Sequence, residues 1–549
     1  MNRLAPALAA LAIVLLASGC SGLRASRARA RVPRVVVVTI DTLHVGRTGP
    51  YNFEVSTTPV LDRLADEGVR FDYAYTHTPI TLPSHAALFA GSSPASIGVM
   101  ANGERVPESA NMLAERLREA GYRTGAFISL GVLRPTFGLN QGFQDFHDPF
   151  IEGPPRWYRR SHEMVGPVNA WLDEHGDEPF FLWVHLSDPH EPYVTPDAPP
   201  DSELWLDDEL IGSYSLASAE EHLVDIEIPS GAHRLRWVSL WQPRDDDRPE
   251  SGVELLVMSR VSLKPFTDDE LPRAYTLLQP ALEVELENDE PHAARLELLF
   301  AGRLSRPPPS FVLPNYDENV ARTDRYLGEL VDKLESIGAR DETLIVIVSD
   351  HGEGLFGHDI LGHASHVYED QLRILWMMHG AGLPEGYVIE NRPGLMKDVA
   401  PTILGVLGLS RWGMDGRSWV RCWESDRCPE SDPFWTYGLS HETRGLTGMA
   451  SYRWPYKWMW RRGFERIAFD VARDPWEQVN LLDDAGPHNP EPLKESAEAF
   501  RAERRRLSKA LRESEGRSED DATERLLESL GYITSDATED PEREDDPER

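Results

Sequence analysis

Runs of β-branched residues alternate along the chain with stretches whose apolar positions recur every three or four residues. In "RVVVVTIDT" (34–42) no charge interrupts the apolar run, which predicts a strand covered on both faces of a parallel sheet. "TTPVLDRLADEGVRF", "SANMLAERLREAGYRTGAFISL" and "VNAWLDEHGDEPFFLWVHLSD" each join a helical spacing to a strand-like run. "YDENVARTDRYLGELVDKLESIG" leading into "TLIVIVSDHGEG" repeats the pattern after a long interval. Such alternation predicts an α/β fold, a sheet flanked by helices on both faces.

Between 198 and 310 the pattern changes. "SELWLDDELIGSYSL", "HLVDIEIPSGAHRLRWVSLWQ", "GVELLVMSRVSL" and "HAARLELLFAGRL" have a period of two and are separated by turn residues, as in a β-sandwich. The segment therefore reads as a module inserted into a discontinuous α/β domain of residues 33–197 and 311–485. "FERIAFDVARDPWEQVNLL" suggests a small C-terminal sheet, 486–534 read as C-terminal helices, and the acidic 535–549 as a solvated tail.

The N-terminus alters the expected location. "MNRLAPALAALAIVLLASGC" has an early arginine, a short apolar run and small residues before Cys20, the grammar of a secretory signal. Its end, "LLASGC", resembles a bacterial lipobox, which would make Cys20 the lipidated first residue of the mature chain; cleavage by an ordinary signal peptidase is the alternative. Residues 21–33, with the basic "RASRARARVP", then read as a spacer, and the expected place is a bacterial cell envelope, outer membrane or periplasm, reached through a lipid anchor. In an oxidising compartment Cys422 and Cys428, in "CWESDRC", are a disulfide candidate, with two free thiols as the alternative. The formal charge of −35 argues against a nucleic-acid partner and means that an anionic substrate needs a local positive site, a metal or a histidine cluster.

Three polar clusters fall at predicted strand ends, where α/β sheets bind ligands. They are Asp41, the pair Asp350 and His351, and Asp188 with His190 in "DPHEPY". Each alone suits a helix cap or a turn. Taken with Thr81 in "TLPSHAALFAG", they suggest carboxylates and an imidazole converging on a hydroxyl, the makings of a divalent metal site that activates a nucleophile. The other reading of Thr81 is a plain N-cap of the helix that follows.

The order "VVVTIDT", "TLPSHAALFAG", "DPHEPY", "YDENVARTDRYLG", "SDHGEGLFGH", "GHASHVYEDQLR", "DVAPTILGVLGL", "MDGRS" and "DVARDPWEQVNLL" resembles the sulfatase family of the alkaline phosphatase superfamily. The resemblance implies an alkaline-phosphatase-like mixed sheet. It makes Asp41, Asp350 and His351 metal ligands and Thr81 the nucleophile that also touches the metal. His190 would hold the oxyanion or protonate the leaving group, and His363 would bind the same anion. His85 stands where the family has the arginine of its C-x-P-x-R motif, and Thr42 where many members have a second aspartate ligand. Threonine at 81 excludes formylglycine, because its oxidation yields only a ketone. The remaining set is similar to superfamily members with a threonine nucleophile, such as phosphoethanolamine transferases.

One divalent ion is expected. A single imidazole favours manganese or zinc, with calcium or magnesium as alternatives. A second ion would have to recruit Asp188, His190, His358 or His363. Lys457, in the aromatic "YRWPYKWMWRRGF", is a candidate addition to an anion pocket, whereas His185 and His366 read as structural. The expected activity is hydrolysis of sulfuric or phosphoric esters, of a glycan or lipid headgroup for example. Its rivals are phosphoryl-headgroup transfer and a catalytically silent, glycan-binding surface protein.

Overall fold

The computed structural model describes residues 32–148, 150, 158–193, 202–215, 222–240, 252–262, 274–277, 281–288, 293–305, 309–440, 445–462, 467–482 and 497–515. Cys20, the leader and the acidic tail lie outside them.

The strands of the main sheet are β1 (Arg34–Ile40), β2 (Gly68–Phe71), β3 (Arg123–Phe127), β4 (Asp145–His147), β5 (Phe180–Leu186), β6 (Thr343–Ser349), β7 (Trp376–His379) and β8 (Tyr387–Ile389). Their order is β8-β2-β7-β6-β1-β5-β3-β4. The sheet is mixed: β1 runs parallel to β5 and β6, while β7 is antiparallel to both β6 and β2. Both faces are covered, which is why the central strands lack polar alternation. Val35, Val37, Leu344, Val346 and Val348 belong to one core cluster, and Val36, Val38, Ile40, Ile345 and Ile347 to the other. Helices α1 (Pro59–Asp66), α2 (Thr81–Ala90), α3 (Leu113–Glu119), α4 (Ser161–His175) and α5 (Pro309–Ser336) cover them. α2 and α3 pack into the first cluster, and α1, α4 and α5 into the second.

All ten residues of α2 are buried, so it has no solvent-facing polar side, and its polar residues Thr81, Ser84 and His85 lie inside the protein. It ends at Gly91, whose φ of 59° and contact with Met414, 2.8 Å from where a Cβ would stand, both favour glycine. Between β5 and α5 the chain forms two four-stranded antiparallel sheets, with strands from Ser202–Leu206 to Ala294–Ser305. A further four-stranded antiparallel sheet spans Phe434–Leu439 to Ile467–Asp470, and Cys422 is joined to Cys428. A further helix spans Ala497–Glu515.

Val32 is buried in the first cluster, its carbonyl accepts a 2.6 Å hydrogen bond from the Tyr122 hydroxyl, and the Pro33 carbonyl accepts from the Phe180 N–H.

Candidate active site

Strand register builds the centre. Ile40 is paired with Ser349 on one side and Leu186 on the other, so the next residues leave three neighbouring strands at the same end. The Asp41 N–H donates to the Leu186 carbonyl (2.9 Å) and the Asp350 N–H to the Ile40 carbonyl (3.3 Å), which continues the ladder one step beyond the strands. Asp41, Asp350 and His351 thus converge, with one ligand atom from each within 4.8 Å of the others.

Asp350 is fixed by the N–H groups of Thr42 (3.1 Å) and His351 (2.7 Å), both donating to Oδ1. Thr42 has a φ of 53°, unusual for a β-branched residue; its N–H is held by Asp350 and its carbonyl by the Tyr316 hydroxyl at 2.6 Å. His351 donates Nδ1–H to the Gly352 carbonyl (2.9 Å), which leaves Nε2 as its ligating nitrogen. Burial then holds His351 down at about 3, with the neighbouring His363 adding to the effect, so the ring is neutral at physiological pH.

Two buried oxygens, Asp41 Oδ1 and Asp350 Oδ2, have no hydrogen-bond partner. Burial and the Asp41 charge push the Asp350 carboxyl well up. Burial acts on Asp41 too, but the His185 hydrogen bond, with the neighbouring His190, outweighs it and holds its carboxyl below the usual range. Paired carboxylates with orphaned oxygens beside a neutral imidazole fit a divalent cation, which would offset their repulsion. Such an ion lowers the pKa of a bound hydroxyl and neutralises an anionic ester.

The Thr81 hydroxyl lies 3.4 Å from His351 Nε2. Thr81 is not the N-cap: that position is Ile80, which has extended backbone, and Thr81 is the first helical residue of α2. The capping explanation of its hydroxyl is thereby removed. Beneath it, Trp183 Nε1–H donates to Thr39 Oγ1 (2.9 Å), Thr39 pairs with His85 Nε2 (3.1 Å), and His85 Nδ1–H donates to the Thr81 carbonyl (2.8 Å). Both His85 nitrogens are therefore engaged inside the protein. Burial, and then His185, lower its pKa to about 3, so its place is that of a neutral support for Thr81 and not of an anion-binding cation.

The local positive charge comes instead from His363. Burial opposes its protonation, yet the Glu353 carboxylate, hydrogen-bonded to Nδ1 at 3.1 Å, raises it to about 9. Its ring lies 4.7 Å from that of His351 and 5.1 Å from that of His190, whose Nδ1–H donates to the Glu191 carbonyl at 2.7 Å.

Other candidates lie elsewhere. Lys457 does not join an anion pocket, because its ammonium is buried between Glu477 (2.7 Å) and Glu369 (3.2 Å). Asp188 Oδ2 accepts the N–H (2.9 Å) and hydroxyl of Ser161 at the start of α4. His358 stacks on Tyr368, ring centroids 3.8 Å apart, and His366 pairs with the Ser365 hydroxyl at 2.8 Å. His185, expected to be structural, proves to be the partner of Asp41: Nε2 meets Oδ2 at 3.3 Å and Nδ1 meets Ser129 Oγ at 2.7 Å. Glu353 and His185 are thus the supporting residues that sequence reasoning missed. "HGEG" and "VHLSDPH" placed them near the strand ends, but nothing in the sequence paired them with His363 and Asp41.

With this geometry in place, the relatives can be compared. The sequence pattern of the sulfatase family matches residues 33–409. The chain belongs to the sulfatase family. This sulfatase is 25% identical over 495 residues to the choline-sulfatase of Rhizobium meliloti (strain 1021), covering 82% of each chain. Its fold is similar to that of the phosphonate monoester hydrolase of Agrobacterium radiobacter, with a TM-score of 0.52 and 18% identity, over 89% of this chain and 96% of that one. A protein solved with its substrate D-glucosamine-2-N,6-O-disulfate gives a TM-score of 0.56 at 16% identity, over 87% of this chain and 98% of that one. The fold is the alkaline-phosphatase-like mixed sheet, and the protein is a sulfatase-family ester hydrolase.

Proposed function

We propose that this sulfatase cleaves sulfuric or phosphoric monoesters through Thr81, with one divalent ion held by Asp41, Asp350, His351 and the Thr81 hydroxyl. The observation that carries this reading is the buried Thr81 hydroxyl, which caps nothing and lies 3.4 Å from a neutral His351 beside two carboxylates with orphaned oxygens. The donor set of two carboxylates and one imidazole favours manganese or zinc over calcium or magnesium.

In the proposed reaction the Thr81 hydroxyl gives its proton to solvent, and Oγ1 forms a bond to sulfur or phosphorus as the bond to the leaving oxygen breaks. His190 gives that oxygen a proton, while His363, protonated below about 9, holds the non-bridging oxygens. Water then cleaves the threonine ester. His85 acts through the Thr81 carbonyl and His185 through Asp41, so both are positioning residues. A threonine ester of phosphate is easier to hydrolyse than one of sulfate, which favours phosphorus; the choline-sulfatase relative favours sulfur. A sugar-linked ester is supported by the neighbour bound to a glucosamine disulfate.

Aryl sulfates, phosphate monoesters, phosphate diesters and phosphonates, each offered with Mn²⁺, Zn²⁺, Ca²⁺ and Mg²⁺, test the reading. Turnover that needs a divalent ion is expected. Turnover equally fast in chelator, or none with any ester, would contradict it. We also infer an envelope lipoprotein anchored through Cys20, with 198–310 an inserted module. Cys20→Ser should move the protein from the membrane pellet to the soluble fraction, and unchanged partitioning would refute the anchor.

A further inference from the structure

Arg160, the residue before α4, is only 3% exposed, yet neither terminal nitrogen of its guanidinium has a hydrogen-bond partner. A guanidinium stays charged and carries five N–H donors, so enclosing it without an acceptor is strongly unfavourable. Its neighbours restrict what would compensate. The guanidinium carbon lies 5.5 Å from the centre of the Tyr158 ring. Ser161, next in sequence, occupies Asp188 Oδ2, while Asp188 Oδ1 is buried without a hydrogen bond. A cation rich in donors and an acceptor thus stand on adjoining segments, within electrostatic reach of each other but with no hydrogen bond on the Arg160 terminal nitrogens or on Asp188 Oδ1.

These segments border the reaction centre. Asp188 precedes His190 by two residues. The Arg159 N–H donates to the Ser129 carbonyl (2.9 Å) and the Ser187 hydroxyl to the Arg159 carbonyl (3.1 Å). The same Ser129 holds His185 against Asp41. Burial raises the Tyr158 phenol, Arg160 opposes it, and the charges of Asp188, Glu163 and Asp41 add to the rise, so this corner and the centre share one electrostatic environment. His363 already supplies the cation at the centre.

We propose that Arg160 and Asp188 Oδ1 form a second subsite, which selects substrates bearing another oxyanion group beside a hydroxyl or amine, in addition to the ester that is cleaved. Arg160 takes the oxyanion through its paired terminal nitrogens, and Asp188 Oδ1 takes a donor from the neighbouring group. A multiply sulfated or phosphorylated sugar has this chemistry. A net charge of −35 makes a dedicated buried cation the means of holding a second anion. The inference rests on the ester-hydrolase reading for its location, but its test is a binding measurement that does not need turnover.

The full chain with Mn²⁺ is titrated with D-glucosamine-2-N,6-O-disulfate and with D-glucosamine-6-O-sulfate in a calorimeter, with Arg160→Gln and Arg160→Lys alongside. The parent is expected to bind the disulfate at least about tenfold more tightly, and Arg160→Gln to reduce that preference to under about threefold. Arg160→Lys keeps the charge without the planar fork and is expected to lose most of the preference, which decides the matter should Arg160→Gln not fold. Equal affinity of the parent for both sugars, no binding of the disulfate, or a preference that survives both substitutions would overturn the subsite. Discrimination without turnover of any ester of the panel would keep the subsite and refute the proposed Thr81 reaction.

Discussion

Two buried clusters of charge in this protein have opposite construction. Around Lys457 the cation is answered: Glu477 and Glu369 flank the ammonium, Tyr75 and Tyr452 donate hydroxyls to Glu369 (2.8 and 2.7 Å), and the Glu369 N–H donates to Glu477 (2.7 Å). At the ends of β1 and β6, Asp41 and Asp350 each retain an oxygen without a hydrogen bond. A closed network holds structure together, whereas an open one pays in stability for what it will bind. Burial alone did not separate the two; the ammonium held between the carboxylates of one, which the other lacks, did.

The largest effect should come from removing one side of the open cluster. Asp350→Asn is expected to abolish metal binding and to lower turnover by several orders of magnitude. In chelator its melting temperature should equal or exceed the parent's, because a buried like-charge pair is gone. Metal analysis, kinetics and thermal melts check this, and a large loss of stability in chelator would contradict the comparison.

Lys457→Met should do the reverse. It leaves two buried carboxylates unpaired, so it is expected to cost about 3–5 kcal/mol in denaturant unfolding, while the folded fraction turns over ester at the parent rate. A fall in kcat per folded molecule would return Lys457 to the anion site.

The smallest effect is one of pH. Burial raises Glu477 to about 7, with Lys457 opposing and Glu369 adding to the rise. Its folded pKa lies above the unfolded value of 4.5, so this contribution is fully present below about 4.5 and is lost as pH rises towards 7. Stability measured across that window should decline, and Glu477→Gln should flatten the decline. An unchanged slope in the variant would contradict the assignment.

Much of the fold was legible because the central strands are buried on both faces and read as unbroken apolar runs. The metal-ligating candidates were legible because each directly follows such a strand, and parallel register brings strand ends together. What the sequence concealed was pairing across distance. Lys457 and Arg160 are both buried cations in polar surroundings, yet one is closed by glutamates 88 residues before it and 20 after it, and the terminal nitrogens of the other lack acceptors. His185 reads as a core histidine until Asp41, on the neighbouring strand, is seen to lie against it. Thr81 reads equally well as a cap, and only the backbone of Ile80 decides that it is none.

The central claim is that the Thr81 hydroxyl attacks the ester. Its most direct test is mass spectrometry of the protein quenched in acid during turnover of the best ester from the panel. The account predicts one sulfuryl or phosphoryl group on the peptide containing Thr81, absent from Thr81→Ala, whose turnover is lost although the fold survives. A group attached to another residue, or a Thr81→Ala protein that hydrolyses the ester at the parent rate, would contradict it.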